Sequence, residues 1–154
     1  MFYLSQMSKG RLQGVHPDLV AVVKEAIRLT TQDFYVLEGL RSRQRQYELV
    51  QKGKSQTMES RHLTGHAVDL APYPYGGDID GDGIHNGADW DQYFPIADAV
   101  IKAAVKLNVP VRWGGNWRVT DVRSFNGNAK QLNEAYSGSF PDGPHFELPR
   151  SYYG

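Results

Sequence analysis

Helix-like and strand-like segments follow one another in an irregular order along this chain. Apolar residues recur at helical spacing in two stretches, a third helix-like stretch opens with a serine cap and closes on a glycine, and residues that favour strands are concentrated in four shorter runs. Strictly alternating strands and helices would predict a parallel sheet, whereas this order predicts an α+β fold with a small antiparallel sheet flanked by helices. The third helix is expected to begin after Pro95, because proline suits the first helical turn. The predicted helices are 17–30, 42–53 and 95–108, and the predicted strands are 34–40, 66–72, 109–113 and 145–149.

The length and charge of the chain limit the classes of function open to it. Its 154 residues, 40% of them hydrophobic, are enough for one domain spanning 1–154 but too few for a catalytic domain with a separate binding module. Lys and Arg number 17 and Asp and Glu number 17, so no overall field favours nucleic acid or a membrane surface. No run approaches the roughly 20 apolar residues of a membrane span, and the absence of cysteine excludes disulfides and thiolate zinc sites. We therefore expect a monomer without a membrane span.

The stretch SRHLTGHAVD, residues 60–69, places two histidines, a glycine and an aspartate within ten positions. His62 and Asp69 would lie about 10 Å apart on a straight helix, and about 23 Å apart on opposite faces of a straight strand. Neither geometry lets both side chains bind one ion. Gly65 can take a positive φ angle, which would fold the chain back and bring Asp69 close to His62.

His66 is the rival partner for His62, because a helix would place these two histidines on one face. The Thr64–Gly65 pair and the β-forming residues that follow disfavour a helix here, which ranks Asp69 above His66. Spacing alone does not define a metal site, so a tight turn with one structural histidine explains the stretch equally well. Both interpretations remain open at this point.

The same stretch fits the pattern Ser-x-His-x-x-Gly-x-Ala-x-Asp. This pattern resembles the signature of the zinc D,D-carboxypeptidase and L-alanyl-D-glutamate endopeptidase family, the peptidoglycan peptidases related to VanX and VanY. The resemblance runs from His16 to Leu148 and is greatest to the single-domain endolysins of bacteriophages. Three further segments resemble family motifs in the family's order: GLRSRQRQ (39–46), RWGGNW (112–117) and DGPHFEL (142–148).

The resemblance implies a zinc site and a catalytic apparatus. In the family, the signature histidine and aspartate bind Zn²⁺ together with a histidine near the C-terminus, which implies His62, Asp69 and His145 as ligands here. The family's general base stands three residues before that last histidine, at the position of Asp142. The motif arginine of the family, which faces the scissile bond, corresponds to Arg41.

These residue types suit the implied chemistry. Two imidazoles and a carboxylate leave a fourth position open for a water molecule that zinc makes acidic. Asp142 would take the proton and pass it to the leaving amine, and Arg41 would stabilise the oxygen charge that develops on the attacked carbonyl. Glu147 competes with Asp142 as the base, because it shares one strand face with His145. Asn116 stands where phage members often have aspartate, which leaves any charge role of that position open.

A second constellation, DIDGDGIHNGAD at 78–89, fits the spacing of an EF-hand calcium loop. Its last position holds Asp instead of the usual Glu, and the prolines and glycines just before the loop disfavour a preceding helix. A solvated acidic loop is the alternative, although so many neighbouring carboxylates repel one another unless something neutralises them. We expect Ca²⁺ to order this segment and to gate the zinc site. The expected calcium ligands are Asp78, Asp80, Asp82, the Ile84 carbonyl, Asn86 and Asp89.

The sequence therefore predicts a phage endolysin that hydrolyses the L-alanyl-D-glutamate bond of peptidoglycan stem peptides with Zn²⁺ as cofactor. A D-alanyl-D-alanine carboxypeptidase of the same family and a non-catalytic zinc- and calcium-binding domain are the alternatives. The start of the chain lacks the long apolar stretch of a secretory signal. The enzyme would be made in the cytoplasm of the bacterial host and would reach the periplasm and cell wall through the pore of a holin-type partner. The polar residues 118–139 are expected to form a long irregular excursion.

Overall fold

The computed structural model of the protein describes residues 1–55, 57–74 and 87–154, and for 87–89 it describes the backbone only. The helices in these ranges are α1 (Gln6–Arg11), α2 (Pro17–Leu29), α3 (Arg43–Gln51), α4 (Gly87–Leu107), α5 (Ala129–Glu134) and α6 (Arg150–Tyr153). The strands are β1 (Phe34–Glu38), β2 (Ala67–Pro72), β3 (Arg112–Trp113) and β4 (His145–Glu147), and 3₁₀ turns cover Arg61–Thr64 and Val122–Ser124. None of these helices is long and apolar enough to cross a membrane.

These strands form one antiparallel sheet in the order β1-β2-β4-β3. The predicted α+β fold with a small antiparallel sheet is therefore confirmed. Asp69 lies on β2, opposite His145 on β4 and opposite Glu38 on β1. The pairing of β1 with β2 shifts register between Val36 and Glu38, as in a β-bulge. This shift places Glu38 directly across from Asp69.

One face of the sheet carries the hydrophobic core. Successive residues of a strand point to opposite faces, so Val68 and Leu70 pack into the core while Asp69 between them points to the other face. Helices α2 and α4 pack against each other in this core. Asp69 is thus carried by a strand whose opposite face is anchored by apolar packing. The buried residues of α2 recur at helical spacing: Leu19, Val22, Val23, Ala26 and Ile27.

Helix α4 begins earlier than its sequence pattern indicates. The predicted start after Pro95 is wrong, because the helix begins at Gly87 and contains Pro95 within it. Trp90 and Tyr93, which lie upstream of the proline, are buried in the core. Packing of these aromatic side chains stabilises the helix on the N-terminal side of the proline, despite the backbone hydrogen bond that proline cannot make.

The segment 118–139 is more regular than predicted. It contains the Val122–Ser124 turn and helix α5, which begins with a capping box formed by Asn128 and Gln131. The cap satisfies backbone groups at the start of α5, which makes so short a helix possible. Helices α1 and α6 have no counterpart in the sequence pattern, because six and four residues are too few for apolar residues to recur over several turns.

The outer edge of β1 is covered by α1. The Ser8 hydroxyl accepts a hydrogen bond from the Val36 N–H at 2.9 Å, and the Arg11 guanidinium donates to the Val36 carbonyl at 2.9 Å. Ser5 caps α1 by accepting a hydrogen bond from the Ser8 N–H at 3.1 Å. Both backbone groups of Val36 are therefore satisfied by side chains of α1.

Candidate metal centre

A short turn places His62 beside the sheet. The Arg61–Thr64 turn begins at Ser60, whose hydroxyl accepts a hydrogen bond from the His62 N–H at 3.2 Å. The turn ends at Gly65, which has a φ of +77°. A Cβ atom on Gly65 would lie 2.3 Å from the Gly14 carbonyl oxygen, so both the backbone angle and the available space require glycine. The predicted fold-back at Gly65 is confirmed, and it leads the chain directly into β2.

Three side chains that are distant in sequence converge after this turn. Nε2 of His62 lies 3.3 Å from Oδ1 of Asp69, and Nδ1 of His145 lies 3.5 Å from the same oxygen. The two imidazole rings meet edge to face with centroids 5.1 Å apart. The three candidate ligand atoms all lie within 4.8 Å of one another, and each side chain is largely buried. The structure therefore brings together the three residues for which the sequence predicts zinc binding.

The outward nitrogen of each histidine is fixed by a hydrogen-bond acceptor. Nδ1 of His62 lies 2.9 Å from the Gly39 carbonyl oxygen, to which it must donate a hydrogen. Nε2 of His145 lies 2.8 Å from Oε1 of the buried Glu147. These contacts leave Nε2 of His62 and Nδ1 of His145 directed at Asp69. Histidines that bind metals are held in this way, with the second nitrogen donating to a carbonyl or a carboxylate.

Two polar atoms at the centre of this group have no hydrogen-bond partner among the residues that the structure describes. They are Nε2 of His62 and Oδ1 of Asp69, and both are buried. Buried polar groups are almost always satisfied, and a bound cation would satisfy an imidazole nitrogen and a carboxylate oxygen that face each other. Imidazole and carboxylate are donors that zinc accepts, with three protein ligands in catalytic sites. The residues present therefore fit a zinc ion.

Electrostatic effects in the centre favour a charged Asp69. Burial raises the pKa of Asp69, but the two nearby imidazoles, of His62 and His145, outweigh burial and hold this pKa well below its usual range. Burial lowers the pKa of His145, but the Asp69 and Glu147 carboxylates, 3.5 and 2.8 Å from its ring nitrogens, outweigh burial and raise this pKa to about 10. Asp69 is therefore an anion in the folded protein.

Arg41 lies on the other side of Asp69. Its Nη2 atom is 3.5 Å from Oδ2 of Asp69, the second oxygen of that carboxylate. Glu38 accepts two hydrogen bonds from the same guanidinium, at 2.9 Å from Nε and 2.7 Å from Nη2. The Arg41 N–H donates to the His62 carbonyl at 2.9 Å. Arg41 therefore contacts Asp69 through its side chain and the His62 turn through its backbone.

Asp142 lies next to His145 on the loop before β4. Its carbonyl accepts a hydrogen bond from the His145 N–H at 3.2 Å, and its N–H donates to the Gly114 carbonyl at 2.8 Å. A Cβ atom on Gly114 would lie 2.3 Å from the Asp142 carbonyl oxygen, so this close approach requires glycine. The Trp-Gly element thus holds the half-buried Asp142 beside His145.

Asn116 is a buried structural amide. Its side chain donates to the Leu132 carbonyl at 2.7 Å and accepts hydrogen bonds from the N–H groups of Arg118 and Val119 at 3.1 and 3.3 Å. A neutral amide can serve as donor and acceptor at once, whereas a carboxylate could only accept. Asn116 therefore fixes the start of the 118–139 segment.

Three contacts of the centre were not evident from the sequence. Glu38 and Gln46 bind Arg41, and Trp117 lies against His145 with ring centroids 5.0 Å apart. A buried arginine needs hydrogen-bond acceptors nearby. Glu38 and Gln46 flank the arginine motif in the sequence, so their positions could have indicated that they bind Arg41. Trp117 belongs to the Trp-Gly element, but its sequence position does not indicate which ring it meets.

The predicted rival ligand His66 lies apart from this group. Nδ1 of His66 contacts the Thr64 hydroxyl at 2.8 Å, and the His66 ring faces His16 with centroids 5.5 Å apart. His66 is thus directed away from the group formed by His62, Asp69 and His145. The predicted calcium ligands at 78–89 lie outside the residues whose side chains the structure describes, which end at 74 and resume at 90.

The fold and the site together define a small α+β protein with a candidate metal centre. The family model of the phage L-alanyl-D-glutamate peptidase matches residues 1–149. The chain therefore belongs to the phage L-alanyl-D-glutamate peptidase family, and it is a peptidase. The resemblance drawn from the four sequence motifs is confirmed at the level of the family.

Two relatives agree with this assignment. The L-alanyl-D-glutamate peptidase of Escherichia phage T5 is 28% identical over 153 residues, which cover 96% of this chain and 98% of that protein. The crystal structure of the L-Ala D-Glu endopeptidase ChiX of Serratia marcescens matches with a TM-score of 0.71 and 40% identity, over 96% of this chain and 90% of that chain. The match to ChiX extends to the fold as a whole.

Proposed function

We propose that this peptidase is an endolysin that uses Zn²⁺ to hydrolyse the L-alanyl-D-glutamate bond of peptidoglycan stem peptides. The observation that carries the proposal is the buried group of His62, Asp69 and His145, in which two facing polar atoms lack hydrogen-bond partners. Both relatives are named as peptidases of L-alanyl-D-glutamate. The donor set, the family and the named relatives therefore support one reaction class.

Three donor atoms of the protein would hold the ion. Nε2 of His62, Oδ1 of Asp69 and Nδ1 of His145 would bind Zn²⁺, which supplies a Lewis acid that polarises a carbonyl and acidifies a water molecule. Gly39 and Glu147 fix the two imidazole rings through their outward nitrogens. Preorganised donors of this kind need little rearrangement on binding, which favours both affinity and catalysis.

We assign the general base to Asp142 and not to Glu147. Burial raises the pKa of Glu147, but the hydrogen bond and charge of His145 outweigh burial and lower this pKa. Glu147 is therefore engaged in orienting His145. Asp142 is half-buried beside His145, where it would take a proton from water and pass it to the leaving amine.

We assign to Arg41 the stabilisation of negative charge on the attacked carbonyl oxygen. Its guanidinium is always protonated and lies 3.5 Å from Asp69. Glu38 and Gln46 hold it in place, so its charge is positioned before substrate arrives. The same contacts make Arg41 a support for Asp69.

The proposal includes a Ca²⁺ ion at residues 78–89, supported by the EF-hand spacing of the sequence. Calcium there would stabilise the chain that follows β2, the strand that carries Asp69, and would thereby modulate activity. The enzyme would act as a monomer and reach peptidoglycan through a holin-type pore in the membrane of its host.

Mass spectrometry of digested peptidoglycan tests the proposal. Purified peptidoglycan is treated with wild-type protein and with Asp142→Ala, each with defined Zn²⁺ and with or without Ca²⁺. The matched control is Glu134→Ala, which removes an exposed carboxylate of α5. We expect new N-terminal D-glutamate from the wild type and from Glu134→Ala, but not from Asp142→Ala.

Other products would change the assignment. Released D-alanine would identify a D-alanyl-D-alanine carboxypeptidase. No cleavage by folded, zinc-loaded wild-type protein would favour a non-catalytic metal-binding domain. Equal cleavage with and without Ca²⁺ would remove calcium modulation from the proposal.

A further inference from the structure

Gln46 is a fully buried polar side chain close to the candidate metal centre. It lies on the inner face of α3 with 0% of its surface exposed. A buried amide is costly unless its donors and acceptors are paired, so the partners of Gln46 indicate what holds it there. These partners are Arg41 on one side and the residues Ser55 and Thr57 on the other.

The hydrogen bonds of Gln46 allow only one orientation of its amide. Oε1 accepts a hydrogen bond from Nη1 of Arg41 at 2.7 Å. Nε2 donates to the Ser55 hydroxyl at 2.8 Å and to the Thr57 carbonyl. A guanidinium only donates and a carbonyl only accepts, so a flipped amide would oppose donor to donor and acceptor to acceptor. Gln46 is therefore locked between Arg41 and Thr57.

The Arg41 guanidinium is held from two directions. Glu38, at the end of β1, accepts from Nε and Nη2, and Gln46 on α3 accepts from Nη1. With both partners in place, Nη2 lies 3.5 Å from Oδ2 of Asp69. Because a guanidinium is planar and rigid, fixing it at both ends fixes the group that reaches Asp69.

We infer that Gln46 is a positioning residue of the metal centre, which holds Arg41 in contact with Asp69 and thereby keeps Oδ1 of Asp69 directed at the two histidines. This inference rests on the proposed function, because it concerns a centre that binds a metal ion. Gln46 acts through Arg41 and does not itself meet the ion or the substrate. It also links the centre to the chain around Ser55 and Thr57.

The variant Gln46→Met separates this role from simple packing. Methionine has a similar length and volume, but it cannot accept well from Arg41 or donate to Thr57. The matched control is Gln44→Met on the same helix, where the glutamine is exposed and contacts Glu48. Arg41→Met and the double variant complete a double-mutant cycle.

Zinc affinity, measured by competition with a chromogenic chelator, is the primary readout. We expect Gln46→Met to weaken zinc binding about tenfold, because partners that orient metal ligands have effects of this size. Gln44→Met should bind zinc as the wild type does. In the Arg41→Met background, Gln46→Met should cause no further loss, since the group that it positions is gone.

A second variant controls for folding. Gln46→Glu keeps an acceptor for Arg41 but loses the donor to Thr57, so it should retain more zinc affinity than Gln46→Met. Circular dichroism and thermal unfolding of the metal-free proteins identify any variant that does not fold. If Arg41→Met fails this check, Arg41→Lys replaces it, because lysine keeps the charge and lacks the fork that binds Glu38 and Gln46 together.

Additive losses in the cycle would overturn the inference, and so would wild-type zinc affinity in Gln46→Met. The proposed function fails in a different way. In that case the wild type releases no N-terminal D-glutamate from peptidoglycan, whatever the coupling between Gln46 and Arg41.

Discussion

The 61–66 segment carries His62 and His66, each of which pairs with another histidine. The two pairs lie in different surroundings. His62 and His145 meet with ring centroids 5.1 Å apart, and His16 and His66 meet with centroids 5.5 Å apart. The first pair is buried, whereas 32% of the His16 side chain is exposed in the second. Ring distance alone therefore does not distinguish a candidate metal centre from an ordinary histidine contact.

The difference lies in what the ring nitrogens face. In the first pair, one nitrogen of each ring faces a shared carboxylate. In the second pair, Nδ1 of His16 accepts from the Asp18 N–H at 3.0 Å, and Nδ1 of His66 contacts the Thr64 hydroxyl. Burial lowers the pKa of His66, and the nearby positive charges lower it further. Burial also lowers the pKa of His145, but its carboxylate partners raise this pKa to about 10. The shared carboxylate is thus what distinguishes the first pair as a candidate metal centre.

The largest expected effect appears when two single variants are compared, each of which replaces one histidine of a pair by asparagine. His62→Asn should abolish zinc binding and peptidoglycan cleavage, because it removes a donor from a three-ligand set. His66→Asn should retain both, since the His66 ring faces away from that set. Metal content after dialysis and the release of N-terminal D-glutamate measure the two effects. Loss of zinc from both variants would contradict the distinction between the pairs.

Gly65→Ala should have the next largest effect, because Gly65 lies in the turn between the pairs. Alanine at a φ of +77° costs about 1–2 kcal/mol, and its Cβ would lie 2.3 Å from the Gly14 carbonyl oxygen. We expect a loss of more than about 2 kcal/mol in the free energy of unfolding, measured with urea. Gly53→Ala is the control, since Gly53 has a φ of +72° and open space around it. Equal losses would show that the chain near Gly14 adapts to the methyl group.

Glu147→Gln should weaken zinc binding about tenfold, because a neutral amide holds the His145 ring less firmly than a carboxylate does. The corresponding change in the other pair is Thr64→Val, which removes the hydroxyl that contacts His66. This variant should leave zinc affinity unchanged in the same chelator competition. A wild-type affinity in Glu147→Gln would indicate that the Glu147 charge is not needed to orient His145.

The smallest effect is expected at Tyr153, which packs against His16 and His66 and donates to Asp18 at 2.8 Å. Burial and the hydrogen bond to Asp18 raise the pKa of Tyr153 to about 12. A raised pKa means that the protonated Tyr153 hydroxyl stabilises the folded protein. This stabilisation is complete below the pKa of tyrosine in the unfolded chain, about 10, and is lost as the pH rises to about 12.

Tyr153→Phe should therefore be less stable than the wild type by about 1 kcal/mol at neutral pH, as for one lost hydrogen bond. The difference in Tm between the two proteins should shrink between about pH 10 and pH 12. Zinc affinity should be the same in both. A constant Tm difference across this range would show that the hydroxyl contributes through packing and not through its bond to Asp18.

Local chemistry explains which parts of the centre were predictable. Gly65 is recognisable in sequence because only glycine takes its backbone angle without strain, and the fold-back toward Asp69 follows from it. The motif around His145 adds the third residue of the group. The fold-back at Gly65 depends on a short stretch of chain, whereas His145 was implied by the resemblance to the family and meets Asp69 through the pairing of β2 with β4.

Long-range packing explains what was not predictable. Glu38 faces Asp69 only because the β1–β2 register shifts next to it, and sequence does not show that shift. Gln46 meets Arg41 because α3 turns its buried face toward the end of β1. The early start of α4 likewise depends on the packing of Trp90 and Tyr93 in the core, which outweighs the preference of Pro95 for a first turn.

The cover that α1 provides over β1 also bears on how the protein behaves at high concentration. An exposed strand edge is a template on which another chain can add a strand and begin to aggregate. Here Ser8 and Arg11 occupy the backbone groups of Val36, and the opposite edge strand, β3, is only two residues long. The sheet described here therefore offers little free backbone at either edge, so molecules crowded together should stay dispersed instead of joining edge to edge.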